Sequence, residues 1–371
     1  MKNLHLTLTP FKNESRLLKQ ANSLGKSLLF SEIHILALWE EGVEERETIP
    51  SGAVIRRVKL NTRNLPSSLP FQVLKYLEFL CFCLFYAFKN KITVVNCHSL
   101  GLLPIGYTIK LIRKGKLVYD AHELETERNG LSGIRKKLSK YFEKLLINKV
   151  DLTIVVGDKI ADHYQMSYSI VRPTVVLNAP VRQRIKKTDL LREKLGIAHS
   201  NKIFLYQGML TEGRGIEKIL SAFCSGKIAN DRIVIFMGYG SLSDLIKEKS
   251  EAHPNVKYLP AVDPEIVLNY TVSADFGFSL IEPVCLSYEY CLPNKLFEYI
   301  LSGVTVIASD LPEMERVIKN EKCGYLVRYN DMDDLVSTIN KAVPIEASIS
   351  DKYTWQHQEN IMIAAYKEWI L

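Results

Sequence analysis

Short apolar runs alternate with stretches of helical periodicity along almost the whole chain, and the alternation starts twice. Runs near 3–8, 33–39, 52–58, 92–97, 116–121, 151–156 and 174–178 read as buried strands, with helical patterns at 14–25, 70–89, 101–114, 131–149 and 158–165 between them. After a polar, proline-containing segment at 178–187, strands near 202–207, 232–237, 256–259, 274–280, 304–308 and 324–327 alternate with helices near 215–226, 241–250, 263–272, 294–302, 312–319 and 331–342. Strands joined by helices build a parallel sheet with helices on its faces. We expect an α/β chain of two facing doubly wound Rossmann-like domains. They cover residues 1–180 and 181–350, and a last helix in 351–371 returns to the first domain.

A chain of 371 residues, 47% hydrophobic and 24% charged, is long enough for two cores. Residues 1–9 read directly as a strand, without a basic leader and long apolar run, so we expect no secretory signal and a cytoplasmic location. The seven cysteines sit in apolar or strand-like settings or flank a motif described below, and their spacing offers no structural zinc site. The net charge of +7 is uneven: residues 1–180 hold 26 Lys+Arg against 16 Asp+Glu, leaving 22 against 25 for the remainder. A basic first half suits an anionic partner. No nucleic-acid motif is present, so we expect no nucleic acid and retain an anionic membrane surface or a phosphorylated acceptor.

Two segments of that half bear on a membrane. Residues 71–88 are strongly apolar but contain Lys75 and Glu78, and the uninterrupted apolar core, 79–88, is about half of what a bilayer crossing needs. They read as a helix buried against the sheet or, alternatively, as a partly exposed interfacial anchor. Residues 133–149 are amphipathic, with Arg135, Lys136, Lys137, Lys140 and Lys144 set against Leu138, Tyr141, Phe142, Leu145 and Leu146. That pattern is either a solvated helix face or a surface drawn to anionic lipid.

The sharpest local pattern is Cys291-Leu-Pro-Asn-Lys-Leu-Phe-Glu-Tyr-Ile-Leu-Ser-Gly303, which follows a buried-strand pattern. Pro293 suits a first helical position, leaving the backbone donors of Asn294 and Lys295 at the positive end of the helix dipole. Lys295 and Glu298 share a helix face, so a diphosphate can meet the ammonium and ribose hydroxyls the carboxylate. An ordinary surface ion pair would have the same spacing. The largely apolar helix leaves them its narrow polar edge, beside the carboxyl ends of strands. A second strand runs into a turn with three glycines, Gly208, Gly213 and Gly215, and Arg214 stands where its forked guanidinium could bind phosphate oxygens. A third glycine turn holds Gly238 and Tyr239, where a flat base or a ribose could approach.

With these pieces assembled, the chain resembles the GT-B glycosyltransferases, and more closely the retaining glycosyltransferase family 4, of group 1 type. The resemblance rests on Tyr206-Gln-Gly-Met-Leu-Thr-Glu-Gly-Arg-Gly215, Met237-Gly-Tyr-Gly240, Leu292-Pro-Asn-Lys-Leu-Phe-Glu-Tyr299 and Tyr119-Asp-Ala-His-Glu123. It implies transfer of a sugar, with retained anomeric configuration, from a nucleotide diphosphate sugar to a glycan or lipid-linked acceptor of surface polysaccharide or glycolipid synthesis. It also implies no cofactor and no metal. Arg214 matches the family's diphosphate-binding basic residue, Glu298 its ribose-binding acid, and His122 a histidine near the donor sugar. Arg16 and Glu123 fall on the acceptor side; solvated helix charge is an equal reading of Arg16. Two departures stand out. Met209 occupies the place of a family arginine, and Tyr290 replaces the acid expected eight positions before Glu298, with Glu289 one register away and Glu282 further back. They keep two alternatives open, a sugar-nucleotide epimerase and a non-catalytic partner subunit of the same fold.

Overall fold

The computed structural model describes every residue except Asn13 and Arg184. Arg184 falls in the expected inter-domain segment at 178–187, and both residues lie outside the described ones. The chain divides into two compact units, Met1–Val176 with Glu359–Leu371, and Leu177–Gln358. The last helix, Trp355–Trp369, therefore begins in the second unit and continues in the first. In the first, the hydroxyl of Tyr366 donates to the side chain of Asn96.

The first unit holds β1 (Lys2–Leu6), β2 (Glu32–Leu38), β3 (Arg46–Thr48), β4 (Val54–Val58), β5 (Val94–Cys97), β6 (Lys116–Ala121), β7 (Leu152–Val155) and β8 (Thr174–Val175), in the order β3-β4-β2-β1-β5-β6-β7-β8. Only the edge strand β3 is antiparallel. Its three residues are all exposed, so it carried no apolar pattern to announce it. Residues such as Leu4, Leu6, Ile35 and Val95 are fully buried, as expected for central parallel strands covered on both faces.

The helix Leu69–Lys89 corrects one reading. Phe79, Cys83 and Ala87 are buried, but Val73, Leu77, Phe85 and Phe88 are exposed, so the helix is not sunk against the sheet. It turns every fourth residue inward and is apolar on its other sides as well. Its 21 residues satisfy the length and composition of a membrane span.

The second unit holds β9 (Lys202–Met209), β10 (Arg232–Tyr239), β11 (Val256–Pro260), β12 (Phe276–Ser279), β13 (Thr305–Ser309) and β14 (Gly324–Val327), all parallel, in the order β11-β10-β9-β12-β13-β14. Phe204 and Phe276 stack with centroids 4.5 Å apart, and Phe223 meets Phe204 edge-on. Burial of each such ring contributes about 1.5–3 kcal/mol. The strand order reverses direction beside β1 in the first sheet and beside β9 in the second. Loops diverge at such switch points and leave a crevice at the carboxyl ends of the strands.

The helix Asn294–Leu301 reaches that crevice because Tyr299 anchors it. Its ring lies so close over Gly277 of β12 that a Cβ there would overlap it. Its hydroxyl accepts from the Gln207 amide at 3.0 Å and donates to the Leu205 carbonyl at 3.1 Å. Gly277→Ala should therefore lower stability by about 1–3 kcal/mol through overpacking. A urea-unfolding midpoint equal to that of the wild type would show that Tyr299 does not need the bare backbone.

Candidate functional site

In the second unit, β9 delivers Gln207 and the glycine turn, and the short helix Leu286–Glu289 after β12 delivers Tyr288. The helix Asn294–Leu301 delivers Lys295 and Glu298. Pro293 stands at the N-cap, one position earlier than its expected place inside the helix. The Asn294 side-chain oxygen accepts from Asn178 at 2.8 Å.

Lys295 is 8% exposed, and its Nζ lies 3.4 Å from the centroid of the Tyr206 ring. The end of its side chain passes over Gly208, whose φ of +113° opens the turn there. Burial pushes the Lys295 pKa well below its ordinary 10.5; the charge of Arg214 lowers it further, and Glu298 acts in opposition. The two cations share one electrostatic neighbourhood. Arg214 in turn lies over the ring of Tyr288, with Cζ 5.0 Å from its centroid. Its Nε is buried and makes no hydrogen bond among the described residues. Buried donors of this kind call for a partner.

Glu298 accepts from Gln207 Nε2 at 2.5 Å, and Gln207 Oε1 accepts from Thr271 at 2.8 Å. Glu298 also lines a cavity of about 220 Å³ with Pro180, Leu268 and Leu301; neither Arg214 nor Lys295 lines it. The carboxylate thus stands on the same helix as Lys295 but faces a separate recess. Gln207, Tyr206 and Tyr288 escaped sequence reading. A glutamine inside the apolar run of β9 is the one visible signal.

The remaining expected residues fall less neatly. A Cβ on Gly238 would overlap the Gly208 carbonyl. The space at Gly238 is filled by the neighbouring strand, which corrects its reading as an opening for a base or ribose. Gly213 packs on the Tyr288 ring, 3.2 Å from where its Cβ would be. Tyr239 is exposed at the end of β10. Glu289 ends the short helix Leu286–Glu289 and makes no ion pair among the described residues, whereas Glu282 lies 3.9 Å from Lys218.

In the first unit, Arg16 is 4% exposed and grips Asp120 through two bonds, Nε to Oδ2 at 3.0 Å and Nη2 to Oδ1 at 2.7 Å. The solvated-charge reading of Arg16 is corrected, and so is its acceptor-side placement: its guanidinium is occupied inside the unit. Gln20 also donates to Asp120, at 2.8 Å, and His122 Nε2 lies 3.0 Å from Oδ2. Burial opposes ionisation of Asp120, but Arg16 and His122 hold it well below the carboxylate range. His122 is the partly exposed end of this network, backed by His98 at 3.3 Å and, behind it, His5. Ligand atoms of His98, Asp120 and His122 lie within 4.8 Å of one another. Both Asp120 oxygens already accept from the Arg16 guanidinium, whose charge would repel a cation, so the donor set does not fit a resident metal. Glu123 is partly exposed, 3.7 Å from Arg128.

Residues 187–354 match the family model described as glycosyl transferases group 1. The matched stretch lies within the second unit. Among similar sequences is the alpha-monoglucosyldiacylglycerol synthase of Streptococcus pneumoniae, 27% identical over 221 residues, which are 57% of this chain. The match spans 48% of that relative, about half its length. Among solved structures, sucrose-phosphate synthase from Thermosynechococcus elongatus superposes with a TM-score of 0.75 at 13% identity, over 100% of this chain and 95% of the other. Anabaena HepE in complex with UDP-glucose gives 0.67 at 14%, over 100% and 95%. At these identities the likeness is one of fold, and the fold is that of the GT-B glycosyltransferases. The stretch that the family model matches contains Arg214, Lys295 and Glu298.

Between the folded pKa of Lys295 and its ordinary 10.5, the unfolded chain binds more protons than the folded one, so stability rises with pH across that window. The cost of the buried charge is fully present below the folded pKa. Lys295→Met should accordingly stabilise the protein at pH 7 by about 1 kcal/mol or more. The advantage should shrink as the pH approaches 10.5. Urea midpoints of both proteins at pH 7 and pH 10 measure this; a destabilised Met variant at pH 7 would contradict it.

Proposed function

We propose that this chain is a retaining glycosyltransferase of the family 4 type. It moves a sugar from a nucleoside diphosphate sugar to a glycan or lipid-linked acceptor in the cytoplasm, for surface polysaccharide or glycolipid synthesis. One observation carries the reading: Arg214 and Lys295 come from distant parts of the sequence into one electrostatic neighbourhood, and the buried Arg214 Nε makes no hydrogen bond among the described residues. A diphosphate is the ligand whose charge answers both. On this reading the two cations neutralise the leaving group, so no step calls for a metal. The bond from the anomeric carbon to the diphosphate oxygen breaks, and the acceptor oxygen bonds to the same face of that carbon. The acceptor's proton passes to the leaving diphosphate.

Glu298, oriented by Gln207, is assigned to the ribose hydroxyls. The acceptor class is supported by the pneumococcal relative's name, a diacylglycerol glycolipid synthase. The donor class is supported by the UDP-glucose complex of HepE.

A second reading, a nucleotide-binding subunit without transfer activity, draws on Met209, which is 53% exposed where the family carries an arginine. Calorimetric titration with UDP and GDP, followed by assay of nucleoside diphosphate release from their sugars, separates the two. The transferase is expected to bind one nucleotide and to release it from its sugar. Binding without release would favour the subunit, and binding of neither would overturn both. Glu298→Ala should weaken donor binding by about 10- to 100-fold, the scale of a charged hydrogen bond. Unchanged affinity would remove Glu298 from the site.

A further inference from the structure

Rightward steps in the first sheet, from β4 to β5, β5 to β6 and β6 to β7, place the connecting helices on one face, because parallel crossovers are right-handed. The leftward step from β1 to β2 places its helix, Ser15–Lys26, on the other. The helices Leu69–Lys89, Leu103–Arg113 and Gly133–Ile147 thus form a single layer, and that layer is apolar on its outside.

On the first helix, Val73, Leu77, Phe85 and Phe88 make an exposed stripe at spacings of four, eight and three, with Phe85 and Phe88 each 65% exposed. Arg113, at the end of the second helix, lies over the Phe88 ring at 5.6 Å, next to exposed Leu111 and Ile112, so the stripe continues across the layer. The third helix exposes Ile134, Leu138, Tyr141, Phe142 and Leu145 at i, i+4, i+7, i+8 and i+11. Interleaved with them, Arg135, Lys137 and Lys144 pair with no carboxylate among the described residues. Exposed apolar surface of this extent marks a contact site, and the bare cations select an anionic one.

We propose that this face docks on an anionic lipid surface, lying in the interface without crossing it. The longest helix is fixed for that posture by polar ties to its own unit. Glu78 accepts from the amides of Asn61 at 2.7 Å and Thr62 at 2.9 Å, Lys75 donates to the Leu65 carbonyl at 2.7 Å, and Tyr86 meets His34 at 3.0 Å. Crossing a bilayer would strip these groups of their partners at high cost. The inference rests on the first unit alone and not on the donor reading.

Co-sedimentation with phosphatidylglycerol and with phosphatidylcholine vesicles tests it. The protein is expected to bind the anionic vesicles at least tenfold more strongly, with binding weakened by salt. Phe85→Ser with Phe88→Ser, and separately Arg135→Gln with Lys137→Gln and Lys144→Gln, should each reduce binding at least tenfold. All five residues are exposed, so the urea midpoint and nucleotide binding should be unchanged. Absence of binding to phosphatidylglycerol vesicles would overturn the proposal. So would a dimer in sedimentation equilibrium that the serine variants convert to monomer without any lipid binding, since the face would then be a contact between copies. Vesicle binding by a protein that binds no nucleotide would sink the transferase reading and leave this one standing.

Discussion

Lys295 is held out of water against the ring of Tyr206 while sharing its surroundings with a second cation, Arg214. A cation over an aromatic face recovers part of the lost hydration, about 2 kcal/mol or more where water is excluded. The charge of Arg214 works against it. The second unit nevertheless imposes the arrangement. Tyr299 presses on bare backbone at Gly277 and bonds to both Leu205 and Gln207, which fixes the helix carrying Lys295 against the strand that leads to Arg214. Rigid packing thus stores an electrostatic cost that an anionic guest would relieve. This is the trade of stability against function common at binding sites.

The first unit solves its own buried charge in the opposite way. Arg16 and Asp120 meet in two parallel hydrogen bonds, Gln20 fills remaining capacity, and Arg16 sends a further donor to the Val176 carbonyl at 2.8 Å. Charge there is compensated inside the protein. Removing one partner of such a pair would leave the other buried alone, so its function is to hold β6 and its loop in one conformation. His122 gains a fixed orientation from it while its own ring stays partly exposed. The contrast separates a structural charge cluster from a binding one better than burial alone, since both clusters are nearly dry.

How much of this was legible in the sequence follows from which interactions are local. Strand and helix order came from periodicity, because each buried strand of a parallel sheet must be apolar along its length. The short edge strand β3, exposed at all three residues, has no such obligation and left no trace. Lys295 and Glu298 were readable because they stand three positions apart on one helix. Gln207, Tyr206 and Tyr288 were not, since each acts on a partner from another element, and only the folded chain brings β9, the short helix after β12 and the Lys295 helix together. Gly238 misled for the same reason: its missing side chain serves the neighbouring Gly208 carbonyl, a contact that no local pattern encodes.

The helix Leu69–Lys89 shows where composition stops being informative. Apolar residues all around a helix ordinarily mean burial all around it. Here only the stripe through Phe79, Cys83 and Ala87 meets protein. Sequence can rank the hydrophobicity of each side, but it cannot say which sides the fold covers. A layer that packs one edge and leaves Phe85 and Phe88 in solvent loses about 1.5–3 kcal/mol per ring relative to burial. That loss is tolerable only if something outside the chain covers the face for part of its working life. Cations set among the exposed rings narrow that covering to an anionic surface, since a neutral apolar partner would gain nothing from Arg135, Lys137 and Lys144 and would have to desolvate them.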